Sequence, residues 1–440
     1  MSISAITSRT GAVERLSLGA VLGERNIWLL FALGFGSGIP FFAYWLDVFP
    51  RVDLAVDAAL LLVVISFGIG GWIGLVAAPF LDRYRAPLFA SLGHRRSWVA
   101  LTLSAALVLF ALHIGTALAS EGATLRFAAI SGVPALLIWA FLWISIDALR
   151  IELFRGRAQA VAAAAQYLGA LGAWVVAARL TEDKITLMSA VGFALLLALA
   201  LGTVLLIREG ATFSVEGQSA SSTFLGTLVR PWLAFFGRHG RASAFLLVAI
   251  ACYALAASAA DSLGKRGYII DILRASNVDI DPDAGSLPAA GSTQEIAFSA
   301  IGALAGLLIA FRLSPQRAFF VMLCAVVGLV GFFALCKAVL GFTVFTVAGL
   351  YLLRTMISAA SYVIYATVAA RLTARPDTAG QYAVLALFGG VFWLSDIGVG
   401  RLGSLVGTSA LSAAAAIAGL AAIVLMRLAA RMARPAIDRA

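Results

Sequence analysis

An arginine set deep in an apolar run is the residue of this 440-residue chain with the clearest chemical demand. Arg354 falls roughly in the middle third of the stretch from Gly341 to Ala370, and nothing close in sequence neutralises it. A guanidinium that cannot reach water must meet a carboxylate, a cavity or a ligand. Its planar fork suits a carboxylate or another anion that can take two parallel N–H bonds. Asp261, Asp396 and Asp47, each on an apolar run of its own, are the candidate partners. A second constellation is Asp147, Arg150 and Glu152. The first two are three residues apart and share a helix face. They can neutralise each other, relay protons, or form a purely structural ion pair. The third is the run Pro79-Phe80-Leu81-Asp82-Arg83-Tyr84-Arg85, followed by Gly93-His94-Arg95-Arg96. Asp82 ends one helix while Arg83, Arg95 and Arg96 crowd the loop beyond it, so the acid and the arginines can pair with each other and with helix-end carbonyls. Opposed pairs of this kind latch two helices in one state and release them in another. The alternative is a basic cluster with no gating role.

Other chemistry is thinly represented. Cys252, Cys324 and Cys336 all lie inside apolar runs without metal-like spacing and are expected as free thiols. His94 and His239 sit in basic loops and His113 near a helix end, so no metal site, no cofactor and no enzymatic constellation is expected. No nucleotide-binding loop and no nucleic-acid motif is present. Tyr44, Trp45, Trp139, Trp143, Tyr351 and Trp393 either line a cavity for an amphiphilic ligand or serve as interfacial and core aromatics.

The elements that must carry these residues follow from composition. Hydrophobic residues make up 62% of the chain and charged residues 12%. That is too little polar surface to cover a soluble globule of its size. Runs such as Leu187 to Ile207 and Ala410 to Met426 are long and continuous, which predicts membrane-spanning helices rather than the short alternating strands of a barrel. The expected spans are 26–49, 57–81, 97–118, 126–153, 159–181 and 185–207, then 243–268, 294–312, 318–338, 342–370, 380–402 and 408–427. Met1 to Glu24 has no apolar core, so the first run is expected to be kept as a helix.

The formal charge of +10 reads as topology and attraction to anionic lipid. Arginines gather in alternate segments, among them Arg83, Arg85, Arg95, Arg96, Arg155, Arg157, Arg230, Arg238, Arg241, Arg427 and Arg431. This asymmetry places both termini in the cytoplasm of a bacterial inner membrane. The domain reading is a cytoplasmic segment 1–25, a six-helix bundle 26–207, a cytoplasmic linker 208–242, a second bundle 243–427 with an outer loop 269–293, and a cytoplasmic tail 428–440. Within the linker, Leu225 to Phe236 reads as a helix lying along the membrane surface. Asp271 to Ser292 is an acidic, Gly- and Pro-containing outer loop. A faint repeat supports two halves: Gln159-Ala160-Val161 with Gly169, Gly172 and Trp174 is echoed by Gln381-Tyr382-Ala383-Val384 with Gly389, Gly390 and Trp393. Glycine clusters at Gly34 to Gly38, Gly68 to Gly74 and Gly398 to Gly407 offer close helix approaches.

The Asp82-Arg83 and Arg95-Arg96 pattern resembles the loop signature of the major facilitator superfamily, with Phe311-Arg312-Leu313-Ser314-Pro315-Gln316-Arg317 as a weak second copy. Within it, Gly34 to Pro40, Ala78 to Tyr84 and Asp147-Ala148-Leu149-Arg150-Ile151-Glu152-Leu153 resemble the AmpG muropeptide permease branch, which also includes siderophore permeases and acetyl-CoA transporters. Gly74 stands where that pattern has a lysine, and Gly169 or Ala170 where it has an arginine. The resemblance implies an all-α integral membrane protein of the major facilitator fold, with about 12 transmembrane helices in two six-helix halves. It also implies proton-coupled import of a medium-sized polar or anionic solute such as a muropeptide, with a siderophore as the close alternative. Asp147, Asp261 and Asp396 are the expected proton carriers. The expected partners are the solute, protons and membrane lipid, with the chain acting as a monomer. A non-transporting assembly factor on the same fold is the reading from another class.

Overall fold

A computed structural model of the chain describes residues 17–51, 74–119, 133–180, 187–209, 224–263, 292–340, 342–373 and 377–437. Helix is the only regular structure among them, as an apolar chain with no water for its backbone requires. A short α1 (Leu18–Leu22) starts where the Ser17 hydroxyl accepts from Ala20 N–H at 3.2 Å, a side-chain cap on the helix. Then come α2 (Arg25–Arg51), α3 (74–83), α4 (His94–Ala119), α5 (Val133–Leu153), α6 (Ala158–Leu180) and α7 (Leu187–Leu206). The linker carries α8 (Phe224–His239). After it follow α9 (Ala242–Leu263), α10 (Thr293–Arg312), α11 (Pro315–Leu335), α12 (Val344–Leu372) and α13 (Thr378–Ile437). Where both ends are described, limits fall close to expectation: 294–312 is Thr293–Arg312, and 342–370 is Val344–Leu372.

One boundary differs. The interruption expected between 402 and 408 is absent, and helical backbone runs without a break through α13. Glycines alone do not stop a helix, and no proline lies between Thr378 and Arg434 to do so. Among the described residues, seven stretches are long and apolar enough to cross a membrane. The expected span 57–81 falls largely, and the outer loop Asp271 to Ser292 almost wholly, outside the described residues.

The chain forms two compact units. The first comprises Met1–Ala234 and Ala369–Val384, the second Phe235–Val368 and Leu385–Ala440. In the first, α2 lies along α6, and α4 packs against α5 and α7. The α2–α6 crossing is made by bare backbone: a Cβ at Gly34 would overlap the Gln166 carbonyl, and one at Gly169 would overlap that of Phe31. Gly34→Ala or Gly169→Ala must therefore push the helices apart. Each should lower stability by ~1–3 kcal/mol, the scale of core overpacking, read as a fall in melting temperature of the purified protein. In the second unit α10 and α12 meet the same way, Gly302 against Met356 and Gly306 against Ala360.

Small residues also bring the start of α13 into the first unit. Ala379 and Ala383 pack with Ala78 and Leu81 of α3 and Ala148 of α5, flanked by Trp98 and Ile144. This cluster places the α13 N-terminus beside Asp82.

Candidate functional site

The loop after α3 is shaped by local rules. Tyr84 N–H bonds back to Phe80 O at 2.9 Å, a turn of 3-10 helix covers Pro87–Leu92, and Gly93 then takes φ 119°. That backbone suits glycine, and a Cβ there would also strike the Glu209 carboxylate. Glu209 accepts from His94 N–H at 2.9 Å and Arg96 N–H at 2.5 Å, capping α4 from a distant segment. Burial pushes its carboxyl upward, opposed by those same N–H groups. Arg96 in turn donates to the carbonyls of Val204 at 2.9 Å and Leu205 at 2.8 Å, satisfying the open end of α7.

Asp82 and Arg95 form the centre of the first unit. Arg95 is almost completely buried and donates through Nη2 to Asp82 at 2.5 Å. Its Nε reaches Glu152 at 2.7 Å, and Nη2 bonds to the same Glu152 oxygen. Both Asp82 oxygens also serve the start of α13, accepting from Ala379 N–H at 2.9 Å and Gly380 N–H at 2.7 Å. The first amides of a helix lack internal partners and carry its positive dipole end, so Asp82 acts as a cap supplied by another helix. Gly380 also rests against Pro231 of α8, and Arg230 pairs with Asp377 at 3.3 Å. Arg83 turns to α8 as well, donating to Thr227 at 2.6 Å.

Burial pushes the Asp82 carboxyl up to about 6 from 3.8, with Arg95 and the two α13 amides pulling the other way. A carboxyl whose pKa is higher folded than unfolded adds stability that is complete below the unfolded value and lost as pH rises through about 6. Relative to Asp82→Asn, which cannot titrate, the native protein should therefore gain up to about 3 kcal/mol as pH falls from about 6 to about 4. Chemical denaturation of both proteins across that window measures it.

The Asp147, Arg150 and Glu152 trio separates in the structure. Arg150 bonds to Asp147 at 3.2 Å and to Gln159 Oε1 at 3.2 Å, with Tyr382 OH at 3.5 Å and its ring 6.0 Å away. Asp147 also accepts from Gln166 Nε2 at 3.1 Å. Glu152 belongs to Arg95 instead. Trp143, one turn before Asp147, sits edge-on to Trp139 at 5.6 Å, and its buried indole N–H has no partner among the described residues.

The second unit holds one strong pair. Arg354 of α12 grips Asp261 of α9 with both prongs, Nε to Oδ1 at 2.6 Å and Nη2 to Oδ2 at 2.9 Å. The side chains are 19% and 11% exposed, and the Tyr351 ring lies 5.9 Å from the guanidinium. Lys337 donates to Ser409 at 2.7 Å. The side chains of Tyr44, Trp45, Asp47, Trp393 and Asp396 lie outside the described residues, although their backbones are helical. No three His, Cys, Asp or Glu gather as a metal site among the described residues.

Several partners were not anticipated from sequence: Gln159, Gln166, Tyr382, Glu209, Thr227 and the α13 amides. Gln159 and the segment holding Tyr382 had a signal in the internal repeat; the others had none. Of the positions departing from the permease pattern, Gly169 is closed to a side chain by the Phe31 and Phe35 backbone, whereas a Cβ at Gly74 meets only the flexible tip of Ile144, at 2.5 Å.

No family model and no curated protein sequence matches the chain. Solved structures do. FucP, a major facilitator superfamily transporter and the E. coli fucose:proton symporter, is 14% identical in its outward conformation, with 92% of this chain and 98% of that one aligned at a TM-score of 0.65. A bacterial homologue of the iron transporter ferroportin, outward-facing, is 16% identical over 92% and 99% of the two chains, with a TM-score of 0.63. The human organic anion transporter MFSD10 (TETRAN) is 16% identical over 91% and 97%, with a TM-score of 0.59. At such identities the likeness shows the fold, and the fold is the all-α architecture of major facilitator transporters.

Proposed function

We propose that this chain, with the major facilitator fold, is a secondary transporter of a medium-sized polar or anionic solute. The observation that carries the reading is the Arg354–Asp261 fork, a charged pair held in two otherwise apolar helices. Charges at such depth are costly and mark substrate or ion pathways. Proton binding at Asp261 would free the guanidinium to take a solute anion, and loss of the proton would restore the pair and expel the solute. Of the three named neighbours, the fucose:proton symporter and the organic anion transporter support this class of cargo and its coupling. The Asp82, Arg95 and Glu152 cluster is the gate, because it ties three helices and an N-terminal cap through one arginine. Two helical halves, 26–207 and 243–427, joined by the linker 208–242, supply the moving parts.

A muropeptide is the first candidate, a ferric siderophore the second. Uptake of each radiolabelled compound into proteoliposomes, with and without an inward proton gradient, tests the proposal. Gradient-stimulated uptake of either, lost in Asp261→Asn, is the expected result. Absence of uptake and of counterflow for both would favour an assembly factor on the same fold.

The arginine asymmetry supports the further proposal that both termini lie in the cytoplasm, with the chain in a bacterial inner membrane. In a background lacking Cys252, Cys324 and Cys336, Ser286→Cys should react with an impermeant maleimide in intact cells. Reaction only after permeabilisation would reverse the topology.

A further inference from the structure

Helix α8 is too short to cross a bilayer and carries an apolar face that none of the other described residues covers. It has 16 residues, and Arg230 and Arg238 interrupt their apolar run. A helix of that length spans ~24 Å against a hydrocarbon core of ~30 Å. Leu225, Val229 and Leu233 repeat every four residues and are 70%, 46% and 66% exposed, while Thr227, Pro231 and Phe235 on the opposite side are buried. That division is the pattern of an amphipathic helix. Phe224, also exposed, extends the patch towards Phe80 of α3, whose ring lies 5.7 Å away, and exposed Tyr84 and Leu88 follow in the adjacent loop. Two things say what covers this face. Only Gly240 and Arg241 separate α8 from α9, whose residues Ala242–Asp261 are among the membrane-crossing stretches, so the chain itself holds the end of α8 at the membrane boundary. The helix contains no acid, and Arg85 beside Tyr84, with Arg238 on α8 itself, is exposed.

The inner side of α8 is fastened to the Asp82 cluster. Thr227 receives Arg83, Arg230 pairs with Asp377, and Pro231 packs on Gly380, whose N–H caps onto Asp82. We propose that α8 lies in the membrane interface with anionic lipid headgroups at Arg238 and the neighbouring Arg85, and that this seating tightens the Asp82 cap on α13. Burying the outer face in lipid presses the three inner contacts onto the α13 N-terminus; lifting α8 away removes them together. The regulatory meaning rests on the gating role proposed for Asp82, but the lipid effect is readable whether or not any solute is carried.

The test uses the full chain in nanodiscs of phosphatidylcholine alone or with one third phosphatidylglycerol. A fluorophore on Leu233→Cys, in the background lacking the three native cysteines, should be quenched by brominated lipid and not by aqueous iodide. Hydrogen exchange of the Ala379 and Gly380 amides should slow in the anionic discs by roughly fivefold or more, the scale for one arginine near an anionic surface. Arg85→Gln with Arg238→Gln should erase that difference while leaving exchange in phosphatidylcholine unchanged. The proposal is overturned by equal exchange in the two disc types, by a lipid effect that survives the double variant, or by a Leu233 label that iodide reaches. Protection of that label from both quenchers would show a second protein copy on this face and also reject it.

Discussion

Arg354→Ala is expected to lower the stability of the purified protein by about 3–5 kcal/mol, the cost of breaking a buried charge pair by removing one partner. It strands the Asp261 carboxylate in an apolar environment without its two charge-assisted bonds. Arg354→Ala combined with Asp261→Ala should recover most of that loss, and a double-mutant cycle on thermal or denaturant unfolding gives the coupling directly. Solute affinity on the same variants separates the two roles of the pair. If Arg354 grips the solute, the double variant regains stability and yet stays unable to bind. Arg354→Lys should then fold but bind weakly, since an ammonium cannot present the planar fork. Normal affinity in a stable Arg354→Ala protein would remove both roles.

Arg95→Ala should be comparably severe, again about 3–5 kcal/mol. It leaves two acids close together inside the first unit. Glu152→Gln added to it should restore part of the loss by removing one stranded charge, whereas Asp82 keeps the Ala379 and Gly380 amides. Glu152→Gln alone should fold with a modest loss, keeping the Asp82–Arg95 bond. Yield and melting temperature in detergent measure the stability ranking. If Arg95→Ala were neutral, the cluster would be a surface charge group, and its role as a gate would fall with it.

These two sites were legible in the sequence to different degrees, for identifiable reasons. Arg354 announced itself through a local property, one charge in a long apolar run, but its partner sits on α9 and only tertiary packing selects Asp261 from the candidates. Asp82 and Arg95 were legible as a loop motif. The third member was not, since Glu152 follows Asp147 and Arg150 closely in sequence and nothing local ties it to Arg95. At about 100° per residue, five residues turn Glu152 roughly 140° from Asp147, while three bring Arg150 back to within about 60°. The structure follows that geometry, giving Glu152 to Arg95. The cap on α13 was illegible because its donors are backbone amides, which no residue type advertises. Helix positions were readable because apolar length is a strong constraint in lipid. The absent break near residues 402–408 shows its limit, since glycine permits a turn without imposing one.

The backbone-to-backbone crossing of α2 and α6 has a practical consequence. Where Gly34 rides on the Gln166 carbonyl and Gly169 on that of Phe31, no side chain stands between the helices to rotate or yield. Any rearrangement that separated them would have to open their tightest seam, so the two should travel as one rigid rod through every functional state. A pair of spectroscopic labels placed along these two helices would then hold a constant separation. That fixed length is an internal ruler against which movement elsewhere in the first unit can be measured.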